Sequence, residues 1–296
     1  MKTVKNILIA FILNLSFAIF EFVGGFFTGS VAIFSDAIHD LGDAISIGVS
    51  LFLEKKSKKQ PDKNYSYGYQ RYSCLGSLFT TLVLLIGSCF VIYGAVNRII
   101  NPTVIQYDKM IMFAIFGVVV NALATFFTHK GDSVNQKAVN LHMLEDVLGW
   151  IIVLIGAIVM KFTDISIIDP IMSIAVALFI LFMAIKNLFA TLELFLEKTP
   201  NGINVDEIKE HVLEINGVLD VHHIHIWTLD GTNNYCTLHL VTNAEPHQIK
   251  EKVKEELKEH KIAHTTIEIE SENESCTEKE CHIDETNISS HCHHHH

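Results

Sequence analysis

The sequence predicts an α-helical membrane bundle of six transmembrane helices followed by a small cytoplasmic α+β domain. The chain is 49% apolar and only 19% charged, and it contains two long runs without any charge. Residues 1–198 carry 15 Lys/Arg against 14 Asp/Glu, whereas residues 199–296 carry 7 against 19. This composition excludes a disordered, collagen-like or disulfide-stapled protein. We expect a transmembrane domain over 1–200, an α+β domain over 201–271 and a flexible acidic tail with Cys and His, possible tag residues included, over 272–296.

Six segments are candidates for membrane spans. Residues 74–97 and 110–128 form uncharged runs of 24 and 19 residues, each long enough as a helix to cross a hydrocarbon layer of about 30 Å. Four further segments are apolar but interrupted by ionisable residues. They are 6–28, 31–53, 138–160 and 167–192.

Basic residues in the short loops predict the orientation of the bundle. Loop 54–73 holds six Lys/Arg and loop 129–137 holds two, whereas the alternate loops offer three in all. Because positive charge favours the cytoplasmic side, both termini are expected there, in an integral multi-pass protein of the cell membrane. The six cysteines are expected to stay reduced in that compartment.

Two of the spans repeat one polar pattern. His39 and Asp43 stand four residues apart in the second span, and His142 and Asp146 stand four residues apart in the fifth, so each pair lies on one helix face. Ionisable groups inside a membrane need a compensating interaction. A single such residue is often a helix-pairing hydrogen bond, but two matched pairs predict a tetrahedral site of two imidazoles and two carboxylates, which suits Zn²⁺.

The last third changes its period. Helical patterns cover 204–215 and 246–260, and alternating patterns cover 217–229, 235–241 and 265–270, with a turn at Asp230-Gly231. The order αββαβ predicts a two-layer domain. Alternation along the first strand places His223 and His225 on one face and His222 on the other.

Potential metal ligands are concentrated in this domain. Histidines occur on the first two strands and just before the last, Glu268 and Glu270 share a face of the last strand, and Cys276 and Cys281 follow. A solvated surface explains any one of them, but together they predict a second metal-binding region.

Five stretches resemble the cation diffusion facilitator family of zinc transporters. They occur in the family's order at 29–39, 67–71, 142–146, 169–173 and 221–227. The resemblance implies a homodimer with metallochaperone-like cytoplasmic domains that exports Zn²⁺ in exchange for protons by alternating access, and is not an enzyme. Its partners are Zn²⁺, protons and the lipid bilayer, with no nucleic acid.

The resemblance also assigns site residues. The transport site matches the four residues found from spacing, His39, Asp43, His142 and Asp146. The cytoplasmic zinc site falls on His222, His239, His264 and Glu270, with Glu268, Cys276 and Cys281 as further candidates. Ser73 and Cys74 depart from the family pattern, in which a Glu is frequent after the equivalent of Arg71.

Two other functions remain open from the residues. A membrane metalloenzyme is disfavoured because four protein ligands would close the coordination shell and no His-Glu-x-x-His helix occurs,. A membrane-anchored metal sensor, signalling through the His-rich domain, is the alternative to a transporter.

Overall fold

Six long helices form the first of two compact units, which divide between Leu196 and Glu197. The computed structural model describes residues 2–28, 31–101, 107–129, 133–163 and 167–272, without the side chains of 24–28, 31–39, 107–110, 168, 169 and 172. The helices are α1 Lys2–Thr28, α2 Val31–Ser57, α3 Arg71–Ile100, α4 Tyr107–His129, α5 Val134–Thr163 and α6 Ile168–Phe195.

Five helices, all but α2, are long and apolar enough over their described parts to cross a membrane. The side chains of α2 are described at residues 40–57, which include Asp40, Asp43 and Glu54. These acidic side chains lower the mean hydropathy of α2 and place charged groups within the bundle. The first unit is therefore the membrane domain of an integral multi-pass protein.

The helices pack so that α2 and α5 can share polar groups. Helix α5 contacts α2, α3, α4 and α6, and α2 contacts α1 and α3. Ile7 of α1, Ile47 of α2 and Met143 of α5 are fully buried in one apolar cluster. A Cβ added to Gly76 of α3 would meet the Asn135 side chain at 2.6 Å, so the absence of a side chain permits this close approach.

The loop between α2 and α3 is ordered around Asp62. Its carboxylate accepts hydrogen bonds from Lys59 Nζ at 2.8 Å and from the Tyr69 hydroxyl at 2.7 Å, and from the backbone amides of Asn64 and Tyr65. These donors, led by Lys59, hold the pKa of Asp62 well below its usual value,.

The second unit contains two helices and a three-stranded sheet. Its elements are α7 Val205–Leu213, β1 Val218–Thr228, β2 Asn234–Thr242, α8 Pro246–Glu259 and β3 Ile262–Glu270. The strands lie in the order β1-β2-β3, with β1 antiparallel and β3 parallel to β2. Ile208 of α7 and Val253 of α8 pack against Leu238 in a buried core, so both helices cover one face of the sheet.

A β-bulge corrects the predicted faces of the histidine strand. His222 pairs with His239 and His225 pairs with Thr237, so the two residues of β1 between these pairs oppose a single residue of β2. The extra residue is accommodated at His223, whose φ is 50°. His222 and His225 therefore lie on the same face, away from α7 and α8, and strict alternation gave the wrong arrangement because it assumes no bulge.

Candidate metal sites

Three of the four predicted membrane ligands lie together. Asp43 of α2 and His142 and Asp146 of α5 each place one ligand atom within 4.8 Å of the other two. His142 Nε2 lies 3.5 Å from Asp43 Oδ1. His142 and Asp146 are one helical turn apart on α5, so the contact between α2 and α5 completes the group.

The described surroundings leave His142 without hydrogen bonds. Its side chain is 4% exposed, and neither ring nitrogen has a hydrogen-bond partner among the described residues. Asp146 Oδ2 likewise has none within that part of the chain. Buried polar atoms are almost always satisfied in native proteins, so this arrangement fits an ion that accepts lone pairs from all three side chains.

Neighbouring acidic residues have different surroundings. Glu145 Oε1 accepts a hydrogen bond from Ser88 of α3 at 3.3 Å, and Glu145 Oε2 lies 3.9 Å from His142 Nδ1. Glu145 thus connects α3 to the group. The backbone of His39 lies in α2, one turn before Asp43, but its side chain lies outside the described residues.

A buried polar brace, consisting of Ser50, Glu54, Ser73, Ser133 and Asn135, joins α2, α3 and α5 beside this group. Glu54 Oε2 accepts from Ser73 at 2.8 Å, Ser133 at 2.9 Å and Asn135 at 3.3 Å. Asn135 also donates to the Ser50 carbonyl at 2.9 Å. The sequence alone did not predict a role for Ser73. In the structure Ser73 donates a hydrogen bond to the carboxylate of Glu54 in α2.

The brace is placed to set the distance between the two helices that carry the ligands. Ser50 follows Asp43 by seven residues on α2, and Asn135 precedes His142 by seven on α5. Seven residues are about two turns, or roughly 10 Å. Sequence reasoning missed these residues because single Ser, Asn and Glu residues at helix ends carry no distinctive spacing.

A second group lies on the sheet of the C-terminal unit. Glu270 Oε1 lies 2.6 Å from His239 Nδ1, and Glu270 Oε2 lies 3.2 Å from His222 Nε2. Glu268 Oε2 is 3.4 Å from His239 Nε2, at the exposed edge of the group. His222 is 4% exposed, and its ring nitrogens lack hydrogen-bond partners in the described chain. Two imidazoles bridged by one carboxylate fit a zinc-type donor set.

His264 is not part of this group. It lies near the start of β3, opposite Tyr235, and the two ring centroids are 6.0 Å apart. Glu270 lies six residues further along the strand, about 20 Å away at 3.3 Å per residue, so one ion cannot bind both within a protomer. The predicted candidates Cys276 and Cys281 lie outside the described residues.

Comparison with known families accounts for almost the whole chain. Residues 7–196 match the cation efflux transmembrane domain, and residues 200–272 match the cytoplasmic domain of cation efflux proteins. The two matches meet where the structure divides, between Leu196 and Glu197.

Curated relatives are similar over most of their length. The chain is 31% identical to the cadmium, cobalt and zinc/H⁺-K⁺ antiporter of Bacillus subtilis, over 90% of this chain and 89% of that protein. It is 31% identical to the zinc transporter ZitB of Escherichia coli, over 99% and 94%, and 30% identical to the metal cation efflux protein CzcD of Cupriavidus metallidurans, over 90% and 86%. The resemblance found in the sequence motifs is thus confirmed, and the chain belongs to the cation diffusion facilitator family of metal cation efflux transporters.

Proposed function

We propose that this protein exports Zn²⁺ from the cytoplasm in exchange for protons, by alternating access, through a site formed by His39, Asp43, His142 and Asp146. The observation that carries the proposal is buried His142, whose ring nitrogens lack hydrogen-bond partners among the described residues while Asp43 and Asp146 lie within ligand distance. Zinc is the substrate here.

Proton exchange follows from the chemistry of the ligands. Imidazole must be neutral and carboxylate ionised to bind a metal, so Zn²⁺ displaces any protons these groups hold. Protons arriving from the opposite side compete for the same lone pairs. Rocking of the helices then lets metal leave and protons enter without a separate proton site. The antiporter of Bacillus subtilis supports this proposal, since its name gives zinc and H⁺.

The orientation and assembly belong to the same proposal. The basic loop between α2 and α3 supports cytoplasmic termini in a cell membrane, and the match to the cytoplasmic domain of cation efflux proteins supports a homodimer. We assign His222, His239 and Glu270 as ligands of a resident zinc in each cytoplasmic domain. His222 supports this assignment because it is buried beside Glu270.

Zinc flux in proteoliposomes tests the proposal. ⁶⁵Zn²⁺ flux is measured with an imposed pH gradient for the parent protein and for Asp43→Asn and Asp146→Asn, which keep side-chain size and remove a charge. Asp206→Asn, at an exposed position of α7, is the matched control. We expect gradient-dependent flux in the parent and control only.

Three outcomes would contradict the proposal. Flux that survives both substitutions would place the transport site elsewhere, and flux indifferent to the pH gradient would exclude proton exchange. A folded parent protein that binds zinc but gives no flux would favour the metal sensor.

A further inference from the structure

Three potential ligands outside both sites meet at one end of the helical layer of the cytoplasmic domain. His211 lies in the last turn of α7. Glu256 and His260 stand four residues apart, with His260 at the C-cap of α8, so they share one side of that helix. The sequence does not bring His211 and His260 together, because 48 residues separate them.

The ligand atoms form a small triangle. His211 Nδ1 lies 2.8 Å from His260 Nε2 and 3.2 Å from Glu256 Oε1, and His260 Nε2 lies 3.4 Å from the same oxygen. Two ligands at about 2.0–2.1 Å from a tetrahedral Zn²⁺ are about 3.3 Å apart. The three edges are close to this separation, so the three ligand atoms are spaced as they would be around one ion.

Hydrogen bonding alone satisfies this triangle poorly. If both imidazoles are neutral, only one of the two facing nitrogens, His211 Nδ1 or His260 Nε2, carries a proton. That one N–H must then donate to both the other nitrogen and the Glu256 oxygen. The remaining lone pairs then face each other at short range. A cation at the centre removes this conflict, because it accepts all three lone pairs and leaves the outer ring nitrogens to carry the protons.

The local electrostatics also favour a cation. Both helices point their C-terminal ends at the triangle, and a helix C-terminus carries a partial negative charge. Glu256 adds a full charge, and its side chain is 28% exposed. Partial exposure lowers the cost of placing charge there and leaves room for a water as the fourth ligand.

We infer that His211, Glu256 and His260 form a second metal site of the cytoplasmic domain, for a zinc-class divalent cation bound by two imidazoles, one carboxylate and water. The site lies on the helical layer, whereas His222, His239 and Glu270 lie on the sheet face away from α7 and α8. Bound metal would link the end of α7 to the end of α8. The inference goes beyond the proposed function, because it requires no transport.

Hydrogen exchange and zinc counting on the full-length protein test it. Added Zn²⁺ should slow amide exchange in peptides covering α7 and the last turns of α8. His211→Asn and Glu256→Gln should each abolish that protection and reduce bound zinc by about one ion per protomer. His247→Asn and Glu255→Gln, exposed positions of α8, should change neither; the His-rich C-terminus contributes equally to every variant.

Two results would overturn the inference. One is zinc-independent exchange in these peptides in the parent protein, and the other is a zinc count in His211→Asn and Glu256→Gln equal to that of the controls. Asp146→Asn separates this inference from transport, since it should lose flux and retain the zinc-dependent protection of α7 and α8.

Discussion

Replacing Gly76 by Ala should destabilise the membrane domain through the polar brace. The new Cβ would lie 2.6 Å from Cγ and Oδ1 of Asn135 and 2.7 Å from its Nδ2, about 1 Å inside the optimal separation of 3.5–4.0 Å. Asn135 cannot move without disturbing its bonds to Ser50 and Glu54. Overpacking costs about 1–3 kcal/mol and an unsatisfied buried group about 1–3 kcal/mol, so we expect about 2–6 kcal/mol if both apply in full.

Gly87→Ala is the matched control on the same helix. A Cβ there would meet nothing within 4 Å, and alanine favours a helix over glycine by up to about 1 kcal/mol. Thermal unfolding of the two variants in detergent, alongside zinc affinity of the membrane site, measures the effect. Gly76→Ala should unfold at a lower temperature and bind zinc more weakly. Equal behaviour of the two variants would refute the proposed role of the brace.

Three further predictions concern single side chains. Glu54→Gln should destabilise the bundle by about 1–3 kcal/mol in the same thermal assay. One oxygen of the Glu54 carboxylate accepts hydrogen bonds within the brace and the other lies 3.0 Å from Lys58 Nζ, and in Gln an NH₂ group replaces one of these two acceptors. Unchanged stability would contradict this. Burial raises the pKa of Cys236 to about 12, so about one thiol in 10⁴ is ionised at pH 8 and iodoacetamide should leave it unmodified until the domain unfolds; rapid alkylation of folded protein would oppose it. Asp62 has a lower pKa in the folded state than its ordinary value of 3.8. Its contribution to the protection of the loop should therefore be complete above pH 3.8 and should decrease only below that pH. Hydrogen exchange of the parent protein compared with Asp62→Asn measures this contribution. A loss of this protection between pH 7 and 5 would contradict the prediction.

The sequence predicted the membrane helices and the α+β domain because their signals are local. Uncharged runs such as 74–97 and paired spacings such as His142 with Asp146 are visible without tertiary information. Six long helices are described, but only five meet the requirements of a membrane span over their described parts. Asp43, one of the acidic residues that lower the hydropathy of α2, is also one of the two residues that identified this helix as functional.

Features that depend on pairing could not be predicted. The bulge at His223 changed the face of His222, and no residue type signals a bulge there. His264 looked equivalent to the other histidines until strand register placed it about 20 Å from Glu270. His211 and His260 meet only through the packing of α7 on α8, and the brace around Glu54 requires three helices.

Zinc binding with simultaneous measurement of proton release tests the central claim most directly. Purified full-length protein and His142→Asn are titrated with Zn²⁺ in weak buffer, and bound zinc and released protons are counted. If His142, Asp43 and Asp146 hold the transported ion, the variant binds about one zinc fewer per protomer and releases fewer protons, while the cytoplasmic zinc remains. Identical zinc and proton counts in the two proteins would contradict the account.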